Sequence, residues 1–126
     1  MSKSKRPRMW SREEVVVLVV EYFRTKHLSE EEKISSLEMI SDFLRQREIM
    51  LSGTLLETET FRNYAGIRMQ TSRIRCLDPE TKYDGMTGTK LQKEIVREYL
   101  EHPELLMAEA SSIYERYKKR ENNQLL

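Results

Sequence analysis

The stretch Ser11-Arg12-Glu13-Glu14-Val15-Val16-Val17-Leu18-Val19-Val20-Glu21-Tyr22-Phe23-Arg24-Thr25 decides the fold, because it can be read two ways. Its run of valines favours a strand when taken alone. Ahead of that run, however, Ser11 and Glu14 have the spacing of a capping box, in which the serine caps the helix and the glutamate reaches back to it. The cap decides for a helix over residues 12–25. Val15, Leu18, Val19 and Tyr22, with Val16 and Phe23 alongside, then make an apolar face broad enough for the centre of a core. Trp10, one place before the cap, is expected to pack on Val15 as a hydrophobic staple.

The same logic carries outward along the chain. Ser29-Glu30-Glu31-Glu32 opens a second helix, predicted to reach about Arg47, with Ile34, Leu37, Ile40, Ser41 and Leu44 as its buried stripe and an acidic outer face. Residues 49–60 read as a loop around Ser52-Gly53-Thr54, with Leu55-Leu56 as an apolar anchor. Asn63 can cap a third helix, which Pro79 cannot extend. A polar, glycine-bearing connection over residues 78–90 follows, and loops of about a dozen residues in small domains are uncommon and often functional. Thr87 or Thr89 caps a fourth helix with Leu91, Ile95, Val96 and Tyr99 inward. Pro103, at a first-turn position, starts a fifth that carries Leu105, Leu106, Ala110, Ile113 and Tyr117.

With 126 residues, 34% charged, four glycines and three prolines, the chain has room for one core and little material for a sandwich or barrel. The expected fold is all-α, a compact bundle of about five helices with a helix-turn-helix-like basic helix and a long glycine-bearing loop. Residues 1–9 form a basic arm, 10–118 the domain and 119–126 a tail. The longest apolar run, residues 15–20, is too short to span a bilayer, and the basic start has no apolar stretch of the secretory kind after it. A cytoplasmic protein is expected.

A net charge of +1 conceals segregation. Residues 1–12 hold five bases and no acid, residues 29–48 six acids against three bases, residues 61–77 four arginines and no acid, and residues 116–126 net +3. Such a layout suits a polyanion on one face. The third helix is the centre of that reading. Ile67, Gln70, Ile74 and Leu77 fall on one side of it, and Arg68, Ser72 and Arg75 on another, with Thr71 beside them. The candidate DNA-binding residues are therefore Arg62, Asn63, Arg68, Gln70, Ser72, Arg73 and Arg75, with Lys82 and Lys90 tracking the backbone.

Chemistry is poorly represented. Cys76 has no partner for a disulfide and is expected to be a small buried residue, and His27 and His102 stand apart, so neither a metal nor another cofactor is implied. Glu80-Thr81-Lys82 has the Glu-x-Lys form used by metal-dependent nucleases, with Asp78 nearby. That arrangement needs its acids on neighbouring strands, which a helical scaffold does not provide, so no catalytic residue and no enzyme is expected.

Several blocks resemble a known family. Trp10-Ser11-Arg12-Glu13-Glu14 with Tyr22-Phe23-Arg24, Phe61-Arg62-Asn63 with Gly66-Ile67 and Met69, Arg75-Cys76-Leu77-Asp78-Pro79, Gly85-Met86, Lys90-Leu91 and Glu94-Ile95-Val96 are similar, in order and spacing over residues 9–110, to the N-terminal domain that precedes the catalytic domain in many bacterial HNH restriction endonucleases. The resemblance implies a helical DNA-recognition module of phage defence, one that senses modified bases and serves an HNH-type nuclease domain or a partner protein. The chain departs from the pattern at Tyr64-Ala65, where the family has Pro-Asn, and at Val96, where it tends to have Trp. Neither histidine has an HNH-like context.

Two other readings use the same residues. In one, the arginines are a solvated face paired with Glu57, Glu59 or Asp84, and the acidic second helix or the Leu55-Leu56 loop docks a protein partner, as in an adaptor or anti-defence factor. In the other, Tyr64 and Tyr83 stack on unpaired RNA bases.

Overall fold

The structure is a computed structural model that describes residues 9–53 and 59–118, and these contain five helices and no strand. The helices are α1 (Arg12–Thr25), α2 (Glu30–Ser52), α3 (Tyr64–Arg75), α4 (Lys90–Glu101) and α5 (Pro103–Arg116). Local signals account for where they start. Both oxygens of the expected capping boxes are in use at Ser11/Glu14 and Ser29/Glu32, and Thr89, not Thr87, caps α4 in a third box with Gln92. The Asn63 Oδ1 accepts the Gly66 amide, and Pro103 sits in the first turn of α5. The basic arm before Met9, the Leu55-Leu56 pair and the tail beyond residue 118 lie outside the described residues.

α1 packs against each of the other four helices. Val15, Val16, Val17, Leu18 and Val19 are all buried, so α1 is apolar on every side over one and a half turns, as befits a central helix. Around it close Ile40 and Leu44 of α2, Ile67 and Ile74 of α3, Ile95 and Val96 of α4, and Leu106, Ala110 and Ile113 of α5. Phe23 stacks on Tyr99 with ring centres 4.4 Å apart, joining α1 to α4, and Trp10 packs on the edge of the core.

Three expectations need correction. α2 continues to Ser52, past Arg47, because Gly53 takes the left-handed conformation and donates its amide to the Ile49 carbonyl, a C-cap that the loop reading of Ser52-Gly53-Thr54 overlooked. Ile34, placed in the buried stripe of α2, is 42% exposed. Cys76 is half-buried rather than buried.

Candidate nucleic-acid interface

α3 is held at its N-terminus by an unusual corner. Arg62 adopts a positive φ of 49°, a left-handed conformation that costs an ordinary residue about 1–2 kcal/mol, and it is the only non-glycine among the described residues to do so. Its side chain turns inward. The guanidinium donates to both carboxylate oxygens of Glu14, at 2.7 and 3.0 Å, and lies 4.4 Å from the ring centre of Trp10 and 4.5 Å from that of Phe61. Glu14 is only 2% exposed. α2 secures the backbone of the same corner: Ser41 donates to the Arg62 carbonyl and Arg45 to the Phe61 carbonyl.

These contacts divide the nine candidate residues. Arg62, buried against Glu14, is a structural pin and not a group that can meet a phosphate. Asn63 is committed to capping α3, and its amide donates to the Glu59 carbonyl. Gln70 faces α4, where its side-chain oxygen accepts from Gln92 at 2.7 Å. Arg73 reaches across to the Thr87 carbonyl at 2.6 Å and tethers the long loop, while its Nε is buried with no hydrogen-bond partner. Lys90, exposed in the first turn of α4, lines a groove with Gln70 and Trp10. Lys82 is exposed on the loop.

Arg68, Ser72 and Arg75 are what remains, and α3 brings them together. With Ala65 and Met69 they recur at spacings of three and four, so they form one outward stripe along the helix. α3 contains no acid, and among the described residues neither Arg68 nor Arg75 has an ion-pair partner. Arg75 is steadied instead by the ring of Tyr83, 4.2 Å from its guanidinium carbon. Other arginines are engaged by acids: Arg12 binds Glu98 and Glu109, and Arg47 and Arg116 bind Glu13. Burial acts to raise the Glu13 carboxyl, but hydrogen bonds from Arg47 and Tyr117 prevail and hold it below its ordinary range. Arg12 likewise lowers the Glu98 carboxyl.

The loop after α3 is anchored by Asp78. Its carboxylate accepts from Tyr22 at 2.8 Å, from Lys26 at 2.7 Å and from the Glu80 amide at 2.9 Å. Burial favours the neutral acid, yet the Lys26, Glu80 and Tyr22 donors outweigh it, and the Asp78 pKa lies below 3.8. Lys26 also binds Glu80, and these bonds raise its ammonium above its ordinary value against the opposing effect of burial. The Asp78 and Glu80 carboxylates of the Glu-x-Lys segment are thus both engaged by one lysine. Among the described residues no three His, Cys, Asp or Glu side chains gather closely enough to hold a metal ion, and no helix is long and apolar enough to cross a membrane.

A cleft of about 530 Å³ opens beside α3, walled by α1, the first half of α2 and the loop after α3. Arg68, Ser72 and Arg75 line it from α3, and Lys33, Ile34 and Leu37 from α2. The α2 contribution was missed in the sequence because an apolar stripe announces burial and does not distinguish a core from a cleft wall. No protein-family model, no curated protein and no solved structure matches the chain.

Proposed function

We propose that the protein is a non-catalytic DNA-binding module that meets duplex DNA through the outward stripe of α3. One observation carries this reading: Arg68 and Arg75 stand two turns apart on an acid-free helix face, exposed and without ion-pair partners, with the Ser72 hydroxyl between them. Two unopposed guanidiniums on one acid-free helix face, with a hydroxyl between them, are a phosphate-binding arrangement. Lys82 extends the charge onto the loop. The resemblance to HNH-associated domains supports a role in a restriction or phage-defence system, with modified bases as the sensed feature and an HNH-type nuclease domain as the partner.

The test is fluorescence anisotropy of the chain with labelled plain and cytosine-modified duplexes across a salt series. Affinity is expected to fall with a log-log slope of about −0.9 for each phosphate neutralised. Arg68→Glu/Arg75→Glu should abolish binding without altering thermal stability by more than surface substitutions do. Absence of binding at low salt to duplex and single strands alike overturns the proposal.

A second reading, an adaptor that binds protein and not DNA, is favoured by the exposed apolar residues Ile49, Met50 and Leu51 at the end of α2. Under it, the same double charge reversal leaves partner binding intact.

A further inference from the structure

The cleft beside α3 has two kinds of wall. Leu18 and Tyr22 of α1 and Ile34 and Leu37 of α2 make one side apolar. Ile34 lies on the apolar stripe of its helix and is nevertheless 42% exposed, because it faces this cleft and not the core. The polar side carries hydroxyls and cations, among them Arg68, Thr71, Ser72 and Arg75 from α3 and Lys33 from α2, together with the carboxylates of Glu21, Glu30 and Glu80. The Thr71 hydroxyl oxygen is buried and has no hydrogen-bond partner, which is uncommon for a group that could find one by rotation.

Charge in the cleft is unbalanced once existing pairs are set aside. Glu21 is held by Arg24 and Ser36, and Glu80 by Lys26. Only Glu30 is left to oppose Lys33, Arg68 and Arg75, none of which has an ion-pair partner among the described residues. The volume, about 530 Å³, is that of a small-ligand pocket, roughly 300–1,000 Å³. Guanidinium forks and hydroxyls suit a phosphate, and an apolar wall suits a flat ring.

We propose that this cleft binds one nucleotide, with its phosphate on Arg68, Arg75 and the Thr71 and Ser72 hydroxyls and its base against Ile34 and Leu37. The assignment rests in part on the nucleic-acid reading of α3, since Arg68 and Arg75 serve both. The nucleotide can be free or can be one unit of a strand turned out of its stack, and the same contacts recognise either.

The experiment is a titration of the full chain followed by backbone amide chemical shifts, using a nucleoside 5′-monophosphate, inorganic phosphate and the unphosphorylated nucleoside as separate probes. The monophosphate is expected to saturate, moving residues 33–37 and 68–75, and to bind at least about tenfold more tightly than either half, since each half lacks one set of contacts. Lys33→Gln/Ile34→Gln changes the α2 wall and leaves the outer stripe of α3 intact, and it should weaken the monophosphate about tenfold while duplex affinity stays within about twofold. Inorganic phosphate binding as tightly as the nucleotide, or an unchanged affinity in that variant, overturns the proposal. A single-stranded oligonucleotide that competes for the same residues assigns the nucleotide to a strand, and failure to compete assigns it to the free pool. Duplex binding with no monophosphate shifts at residues 33–37 sinks this inference alone, whereas monophosphate binding without duplex binding sinks the DNA reading alone.

Discussion

Arg62 shows how one residue can carry a charge that looks functional in sequence and is structural in space. Its guanidinium, buried between Trp10 and Phe61, satisfies a carboxylate that has itself lost nearly all contact with water. Removing one partner of such a pair strands the other, at a cost of about 3–5 kcal/mol, whereas an exposed arginine with no acid partner contributes within about 0.5 kcal/mol. Arg62→Met is therefore expected to lower stability by about 3 kcal/mol and Arg68→Ala by less than 0.5, roughly, both read from urea midpoints. Glu14→Gln keeps a side-chain oxygen for the Ser11 cap and should be costly too, with the Arg62→Met/Glu14→Gln pair losing less than the sum of the singles. Equal, small effects for Arg62→Met and Arg68→Ala would remove Arg62 from the role of a pin. The sequence did contain a hint. The Ser11 cap occupies one oxygen of Glu14, and a glutamate on the apolar side of α1 needs a cation for the other.

At the scale of elements, the loop between α3 and α4 is kept close to the bundle by contacts at both its ends. Arg73 grips the Thr87 carbonyl, and Gly88, buried one residue later, lies against Leu77. A Cβ at Gly88 would fall 2.6 Å from the Leu77 Cδ1 and 3.0 Å from its Cγ, so the leucine or the loop must move. Gly88→Ala should cost about 1–3 kcal/mol as an overpacking change and should speed amide exchange over residues 81–89. Unchanged stability and exchange would mean that Leu77 repacks freely. Elements themselves were legible wherever the signal is local: the caps at Ser11, Ser29 and Asn63 and the proline at 103 located four helix starts, and the fourth helix was placed to within two residues, at Thr87 or Thr89, of which Thr89 is the cap. Two kinds of information were not local. The end of α2 depended on the conformation of Gly53, and the inward turn of Gln70 and Arg73 depended on partners 22 and 14 residues away that no periodicity of α3 reveals. That Arg68, Ser72 and Arg75 share one face of α3 follows from helical spacing alone and was legible without partners.

Across the whole molecule, the blocks that are far apart in sequence meet as buried or half-buried ion pairs around the central helix: Glu14 with Arg62 at one end of α1, and Lys26 with Asp78 at the other. The second pair fixes the loop after α3 to α1, and the cleft lies between these elements, so its shape depends on that pair's ionisation. Asp78 titrates below 3.8 in the folded protein, so the stability it contributes is fully present above the unfolded value and is lost as pH falls through the folded one. Lys26 is raised above 10.5, so its contribution is fully present below that value and is lost as pH rises through the folded one. Tyr22, raised by burial and by Asp78, adds to the loss on the alkaline side, because the folded protein retains a proton that the unfolded chain releases. Between about pH 5 and 9 the network is intact, and below about pH 4 it weakens. Asp78→Asn should therefore be less stable than the parent at pH 7, by about 2–4 kcal/mol, since Lys26 keeps its charge and loses its main acceptor. The same variant should show a shallower fall in stability between pH 4 and 2, roughly, because the acid that drives that fall is gone. Urea midpoints for the two proteins across this range read both effects at once. Identical acid limbs would assign the acid sensitivity to other carboxylates, with Glu13 and Glu98, also depressed by their arginines, the next to test. A shallower limb together with slackened amide protection at residues 78–81 would establish Asp78 as the link through which the bundle sets the geometry of the cleft.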